Sequence, residues 1–569
     1  EELYSNWLTT LQLLPLKEKL LLLLTVNLNS PLPPKPYYLL LLSLASGLLF
    51  WLGWPPFAFP FFLFFAIVPL LAIENYCTSK NYRRPGRVFF GYAYLTLFLW
   101  NILTTWWVYN ATLAGAIFML LANSLLMTLP WLLYRFTKRA TGTAWGLFSL
   151  VLYWMTFEYI HLNWDLSWPW LTLGNGFAAQ PAWVQWYEYT GVFGGTLWVW
   201  LGNIAVYQVF FTPTGSLLTK PQWRSLLFTV IWLSLPIIYS YITYFSYEET
   251  GKPIEVVALQ PNIDPYTEKF VGSENFIPYE EQVARFIAQS EEALTPETQF
   301  LLWPESAFDG AYYEPDFIST EIFEKILAFN ERYPDLALIT GMTSYVIYGK
   351  DTIAPATARY GEKLGYYDVF NTALFVDEND TEVYYHKSKL VPGVEILPYP
   401  QVFRVISETI FDLGGTAGGF GRQAERTVLY DADSVGVAPA ICYESIYGDF
   451  MTEFVRNGAE VIFIITNDAW WGNTPGFKQH LQYASLRAIE SRRSVARSAN
   501  TGISAFITQR GDILQPTEYW EPAVIRETIY ANEEITFYAR HGDYLARTAA
   551  WMSPLVLLAA FVKRKTHKY

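Results

Sequence analysis

The sequence predicts an α+β membrane protein in two parts, a polytopic helical membrane domain followed by a larger α/β sandwich. Three observations predict it. Only 16% of the 569 residues are charged and 52% are hydrophobic, whereas an ordinary globular chain is about a quarter charged. The shortage is uneven: up to about residue 246 long apolar runs carry few ionisable groups, and from about 250 to 545 the mixture is that of a soluble domain. Within that second stretch, short β-rich runs alternate with polar helices, the pattern of a sheet covered by helices.

The elements follow in chain order. Residues 1–37 form a cytoplasmic or interfacial segment: the Leu-rich stretch 7–28 is broken by Pro15, Lys17, Glu18 and Lys19, and SPLPPKP follows as a stiff linker. No small-residue cleavage site follows, so a removable leader is not expected. A membrane span needs about 20 apolar residues. Runs of that kind lie at 38–54, 56–74, 88–109, 111–134, 143–160, 188–211 and 224–246, giving a membrane domain of about seven helices over 38–246. One more run, 546–562, leads into the basic tail KRKTHKY, so 546–569 is a last helix and its tail.

Lys and Arg gather in the loops 75–87, 134–142 and 219–224 and in the tail, and are absent from 54–56, the neighbourhood of 110 and 160–187. Basic loops stay in the cytoplasm, which places both termini there and puts 247–545 on the outer face. The segment 159–189 is crowded with Trp and Tyr. Such rings favour the membrane interface, and the segment reads equally as an aromatic belt or as the lining of a lipid entrance.

In the outer part, strands are expected at 254–260, 299–305, 336–340, 369–377, 382–387, 434–443, 459–466 and 503–508, and helices at 278–293, 319–332, 446–457 and 477–492. The net charge of -13 argues against a nucleic-acid partner. Cys77 and Cys442 are too distant in sequence and context for a disulfide or a zinc site. GGTAGGFGRQ (414–423) lacks the Gly-Lys-Ser/Thr ending of a phosphate loop and reads as a connection. His480 has no partner at metal spacing and reads as a hydrogen bonder near a helix start.

Three strand ends carry reactive side chains: WPES ends on Glu305, YYHKSKLVPGVE carries Lys387 and Glu395, and AICYES carries Cys442 and Glu444. Singly, each is more often a solvated turn or a core cysteine. In the order Glu, Lys, Cys they resemble the nitrilase superfamily, and with the preceding spans they resemble the apolipoprotein N-acyltransferases of bacterial envelopes. LQPNIDP (259–265), TNDAWWGNTPGFKQH (466–480), RAIESRRSVARSANTGISAFI (487–507) and SWPWLTLGNG (167–176) extend the likeness over nearly the whole chain. Two departures stand out. The family's Leu-Val-Pro-Phe-Gly-Glu is here Leu390-Val391-Pro392-Gly393-Val394-Glu395, and Phe270 stands where relatives carry a Trp.

The resemblance implies an α-β-β-α sandwich over 247–545 and a two-step acyl transfer. Cys442 is then the nucleophile, Glu305 the general base and Lys387 the cation for thiolate and oxyanion. Glu395 and Glu444 orient Lys387 or the incoming amine, or else form a buried ion-pair network. Tyr443 follows the nucleophile, and Trp470 and Phe270 face lipid, packing being the alternative for Trp470 and Trp471. The implied donor is a glycerophospholipid, phosphatidylethanolamine above all; the acceptor is a diacylglyceryl-modified lipoprotein. Neither metal nor cofactor is required, a monomer suffices, and the site lies on the periplasmic face of a bacterial inner membrane. A membrane-tethered amidase or nitrilase would use the same three residues, and a non-catalytic scaffold is the third reading.

Overall fold

A computed structural model describes residues 36–79, 82–211, 222–377, 381–399 and 419–566. The expected interfacial helix at 7–28, part of the basic loop 219–224, the start of the Gly-rich run at 414–418 and the last residues of the tail, 567–569, lie outside the described residues.

Helix occupies each of the positions at which the sequence predicts a span. α1 is Pro36–Leu52. The second run is interrupted, a 3-10 turn Pro60–Phe62 leading into α2 (Leu63–Ala66) and α3 (Val68–Ser79). Pro55, Pro56, Pro60 and Pro69 account for the breaks, since each lacks an amide donor. α4 (Pro85–Thr105) tightens into a 3-10 turn, Trp106–Asn110. α5 (Leu113–Leu126) and α6 (Leu129–Thr141) divide the fourth run just before Pro130. α7 (Thr143–Leu162), α8 (Tyr187–Phe210) and α9 (Trp223–Ser246) complete the first part.

Among the described residues, five stretches are long and apolar enough to cross a membrane: Pro60–Thr78, Pro85–Asn110, Leu113–Thr141, Trp223–Ser246 and Tyr544–Thr566. On α9 and the C-terminal helix, Ile242, Phe245, Trp551 and Leu555 point outward, as side chains meeting lipid do. Inside the bundle, Arg135 and Lys138 both pair with the buried Glu74, the kind of partner a charge within an apolar part requires.

The second part contains two sheets. The strands that build the site are β1 (Lys252–Gln260), β2 (Thr298–Leu302), β4 (Ala337–Gly349), β6 (Gly365–Val376), β7 (Glu382–His386), β9 (Gly436–Ile441), β10 (Val461–Thr466) and β11 (Val495–Ala499). Among the described residues, the eight-stranded sheet runs β14 (Ala523–Ala531), β1, β2, β4, β6, β5 (Arg359–Gly361), with β3 (Phe308–Tyr313) on β4 and β7 on β6; the six-stranded sheet runs β13 (Ile513–Leu514), β12 (Ala505–Ile507), β11, β10, β9, β8 (Leu429–Tyr430). Alternation along β1 sets the layers: Val256 and Ala258 enter the core between the sheets, while Val257 and Leu259 enter the core beneath α10 (Tyr279–Ser290) and α11 (Glu321–Asn330). Across the sandwich Phe300 meets Phe463 edge to face at 5.2 Å. α12 (Gly448–Arg456) and α13 (Pro475–Ser491) cover the outer face of the second sheet, completing the α-β-β-α order.

The strand at 299–305 is shorter than the sequence predicts, ending at Leu302 because Pro304 cannot donate to a ladder. β11 and the edge strand β14 (Ala523–Ala531), which pairs antiparallel with β1, are additions. Both carry charged residues among apolar ones, Arg497 buried in β11, Arg526 exposed and Glu527 half-buried in β14.

α13 joins the two parts. Gln479 on this helix accepts hydrogen bonds from Trp170 (2.7 Å) and Trp107 (3.3 Å), and its amide donates to the carbonyls of Pro55 (2.8 Å) and Thr104 (3.3 Å). Tyr483, one turn on, accepts from Trp54 at 3.1 Å. All of these groups are buried, so losing the amide leaves several without partners. We expect Gln479→Leu to cost about 1–3 kcal/mol for the stranded polar groups, read as a lower unfolding temperature in detergent.

Candidate active site

Each reactive side chain stands where a strand stops. β2 ends at Leu302, and the chain turns through Trp303 and Pro304 to Glu305, with Ser306 left-handed at φ 53°. This turn lies against β4 so closely that a Cβ on Gly341 would sit 2.5 Å from Glu305 Cα, while the Gly341 amide donates to the Pro304 carbonyl. Only glycine allows that approach. β7 ends at His386, and the next amide, of Lys387, continues the ladder to the Asn371 carbonyl at 2.8 Å. β9 ends at Ile441, and Cys442 opens a 3-10 turn, Cys442–Ile446, with φ 50°. A left-handed non-glycine residue costs on the order of 1–3 kcal/mol and persists only where its surroundings enforce it.

The centre is an ammonium between carboxylates. Lys387 Nζ lies 3.0 Å from Glu305 Oε1 and 2.8 Å from Glu395 Oε1. The Asn371 amide bridges the same two oxygens, at 2.8 Å and 3.0 Å. The second oxygen of Glu305 accepts from the Asn467 amide at 3.0 Å, beyond β10 in the opposite sheet. That of Glu395 accepts from the Val391 amide at 2.8 Å. Glycine at position 393 makes this return possible: with φ 80° it closes a tight loop in which the Glu395 amide bonds back to the Val391 carbonyl. The shift of glycine within the family's loop motif therefore still delivers a carboxylate to Lys387.

Lys387 is 1% exposed. Burial works against its charge, but Glu305 and Glu395, with the Cys442 sulfur, hold its pKa well above that of an ordinary lysine. The Cys442 thiol is pushed the other way, strongly upward, by burial and by the Glu305 carboxylate, with Lys387 opposing. The resting pair is therefore a neutral thiol beside a carboxylate, and nucleophilic attack must carry the proton from sulfur to oxygen.

Glu444 does not reach Lys387 through a hydrogen bond. Wholly buried, it accepts from the amides of Ser388 (2.6 Å), Lys389 (3.2 Å) and Ile441 (3.0 Å) and from the Tyr385 hydroxyl (2.8 Å). It fastens the loop after Lys387 to the strand before Cys442. Orientation by direct contact belongs to Glu395 alone of the two. Tyr443 turns away from the carboxylates, its hydroxyl donating to the Ser167 carbonyl at 3.0 Å, while Tyr447 donates to Ser167 Oγ at 2.8 Å. The aromatic segment 159–189 is thereby tied to the cysteine turn.

The two tryptophans after Asp468 differ. Trp470 stacks on Phe270 with ring centres 6.0 Å apart, and both line the cavity. Trp471 packs on Trp107 and Trp170 at 5.0 and 5.5 Å, joining the two parts of the chain. His480 is not at the start of α13, which Thr474 caps; it lies in the second turn, 3.1 Å from the Cys442 carbonyl. Asn371 is a residue that sequence reasoning passed over, and His480 one that it read only as a hydrogen bonder. The signal for Asn371 was a lone amide in the apolar run VFNTALF, for a polar group in a buried strand needs a partner.

A cavity of about 620 Å³ opens onto this centre. One end is walled by Glu305, Asn371, Lys387, Glu395 and Cys442, the other by Phe118, Met119, Ala122 and Leu126 of α5. The chain's reactive group and its membrane helices thus share one space.

Residues 46–205 match the family described as the apolipoprotein N-acyltransferase N-terminal domain, and residues 253–534 match the carbon–nitrogen hydrolases. The chain belongs to the apolipoprotein N-acyltransferase family. Its relatives include the apolipoprotein N-acyltransferase of Chlorobaculum tepidum, 27% identical over 548 residues with 94% of this chain and 98% of that protein covered. That of Geobacter metallireducens is 25% identical, covering 93% and 96%. Among solved structures, an amidase from Nesterenkonia sp. matches with 16% identity and a TM-score of 0.32, over 52% of this chain and 97% of that one. Family membership makes this chain an N-acyltransferase of the carbon–nitrogen hydrolase superfamily.

Removing the shared ammonium should be costly for stability as well as for activity. Lys387→Met leaves Glu305 and Glu395 buried and unpaired, and breaking a buried pair in this way costs about 3–5 kcal/mol. Adding Glu395→Gln should recover part of the stability and none of the activity, a contrast visible by comparing thermal unfolding with turnover.

Proposed function

We propose that this lipoprotein N-acyltransferase draws its acyl chain from a glycerophospholipid, phosphatidylethanolamine above all. It would hold the chain as a thioester on Cys442 and deliver it to the α-amine of the acceptor's N-terminal diacylglyceryl-cysteine. The observation that carries the reading is the single cavity from α5 to Cys442. Its volume falls within the range of about 300–1,000 Å³ of small-molecule sites, and its membrane end offers the apolar wall that an acyl chain requires.

In the first step, Glu305 takes the thiol proton as sulfur attacks the ester carbonyl. The charge then developing on oxygen is met by the Lys387 ammonium, which its two carboxylates keep protonated. Glu305 returns the proton to the leaving alcohol, and lysophospholipid departs. In the second step the free amine attacks the thioester, Glu305 removes the amine's proton, and the thiol is restored with the amide formed.

The location proposed is a bacterial cytoplasmic membrane with the catalytic part on the periplasmic face. Lys138 and Arg139 end α6, and Lys563–Lys565 end the C-terminal helix, with Arg564 5.1 Å over the Phe136 ring. These basic ends thus lie side by side. α4 begins beside Arg84 and Arg87 and ends at the turn whose Asn110 donates to the Trp471 carbonyl. Its basic end is therefore the one remote from the cysteine, as the positive-inside rule asks. One chain contains every group named, so a monomer suffices.

Labelled phosphatidylethanolamine should leave an acyl group on Cys442, detected by mass spectrometry of the intact protein. Cys442→Ser and Glu305→Gln should abolish it, and a diacylated lipopeptide should discharge it. Discharge to water alone would favour a hydrolase, and absence of any acylation would sink the reading. Ala122→Trp, which fills the membrane end of the cavity, should raise the KM for long-chain donors at least tenfold while sparing short-chain ones.

A further inference from the structure

Beneath the cysteine turn lies a second cluster of ionisable groups. Asp468, His480 and Arg497 are all 0% exposed. Arg497 Nη2 pairs with Asp468 Oδ2, and Thr466 donates to Asp468 Oδ1 at 2.9 Å. Asp468 Oδ1 lies 3.1 Å from His480 Nδ1. The other ring nitrogen, Nε2, lies 3.1 Å from the Cys442 carbonyl oxygen, which also accepts from Ser445 Oγ at 2.8 Å. Ser445 Oγ also lies 3.1 Å from Nε2, and Arg497 Nη2, which only donates, lies 3.3 Å from Nδ1; in the neutral ring Nδ1 therefore accepts from Arg497, whose position Asp468 fixes, and Nε2 carries the proton that the Cys442 carbonyl accepts. The rings of Trp170 and Trp471 pack on the imidazole with centres 6.0 and 5.4 Å away.

Burying such a cluster is expensive, and its last contact falls on the carbonyl of the nucleophile itself. That carbonyl belongs to the planar peptide between Cys442 and Tyr443, so fixing its C=O fixes the direction of the Tyr443 N–H. Tyr443 stands at the start of the 3-10 turn, where the first N–H groups have no acceptor within the turn. This N–H is one residue from the sulfur and opposite in direction to the tethered carbonyl.

We propose that His480, braced by Asp468 and Arg497, is a positioning residue: by holding the Cys442 carbonyl it aims the Tyr443 N–H at the oxygen of the acyl group under attack. Lys387 and this N–H then form the two donors of the oxyanion site. The inference rests on Cys442 acting as the acyl-carrying nucleophile.

The test uses the full-length protein in detergent and compares His480→Leu, His480→Gln and Ser445→Ala. Two rates are measured at Cys442, acylation by labelled phosphatidylethanolamine and alkylation by iodoacetamide. Alkylation is a displacement at saturated carbon and develops no oxyanion. His480→Leu should acylate about 100-fold more slowly, the range for losing an oxyanion donor, with donor KM within twofold and alkylation unchanged. His480→Gln, whose amide can still donate, should remain within tenfold of the wild type, and Ser445→Ala should lie between.

Equal acylation by all variants would overturn the proposal, as would a parallel fall in alkylation, which would mark a general disturbance of the cysteine. Should His480→Leu fail to fold, the same comparison passes to His480→Gln and Ser445→Ala. A wild-type rate in Ser445→Ala, or a Gln variant whose alkylation drops with its acylation, would then overturn it. If the wild-type protein forms no acyl-enzyme, it is the proposed function that fails, and not the role of His480.

Discussion

The arrangement depends on one buried ammonium shared between two carboxylates. Lys387 is the only cation hydrogen-bonded to Glu305 and Glu395 among the described residues, so the trio is one negative charge in excess. The excess is carried by fixed donors: the Asn371 amide and the backbone N–H groups of Asn467 and Val391. These partners come from both sheets and from the loop after β7. Folding of the sandwich and assembly of the centre are therefore the same event, because misplacing any one of them leaves charge buried and unpaired. The same excess explains the state of the cysteine. A thiolate would add a second negative charge beside Glu305, so on the proposed route the thiol keeps its proton until an electrophile arrives.

That electrophile must reach a group buried at the junction of two dissimilar parts. The junction is sealed with buried polar contacts rather than apolar packing alone: Gln479 and Tyr483 to the tryptophans below, Tyr443 and Tyr447 to Ser167. Such contacts fix register more strictly than apolar ones, since a shifted amide or hydroxyl loses its partner. The cysteine turn is thus fastened above by Glu444, below by His480 and to the membrane side through Ser167. A left-handed residue held from three directions can keep its strained geometry through a reaction cycle.

Much of this was legible in the sequence, and what was not has a physical reason. Periodicity found most strands of the sandwich because buried parallel strands read as apolar runs, as in VIFIIT of β10. It missed β11, where Arg497 lies inside the strand and looks like a surface residue until its carboxylate partner is known. Glu305, Lys387 and Cys442 were legible only together, through the resemblance that their order carries, since singly each reads as a turn or a core residue. Asn371 was not legible, and of His480 only that it bonds, since their partners are distant in the chain, a carboxylate 66 residues before Asn371 and a carbonyl 38 residues before His480. Glu444, which the resemblance paired with Glu395 in orienting Lys387 or the amine, turns into the backbone of the Lys387 loop, so its hold on Lys387 runs through that loop.

What separates transfer from hydrolysis on this scaffold must lie in the cavity rather than in the reactive trio, because water and an amine can both be deprotonated by Glu305. Phe118, Met119 and Leu126 line the membrane end, and Phe270 and Trp470 close the outer rim. Along the proposed route, an acyl chain bound to Cys442 fills the space that water would otherwise occupy, and much of the wall it meets is apolar. A buried thioester is then protected by its own hydrocarbon, since admitting water means wetting apolar surface at about 25 cal/mol per Å². On the same proposal the acceptor's amine, carried on a diacylated residue, would approach from the bilayer along this apolar path. Selectivity for that amine over water would then follow from the medium through which each must travel, with the membrane helices serving as a filter as well as an anchor.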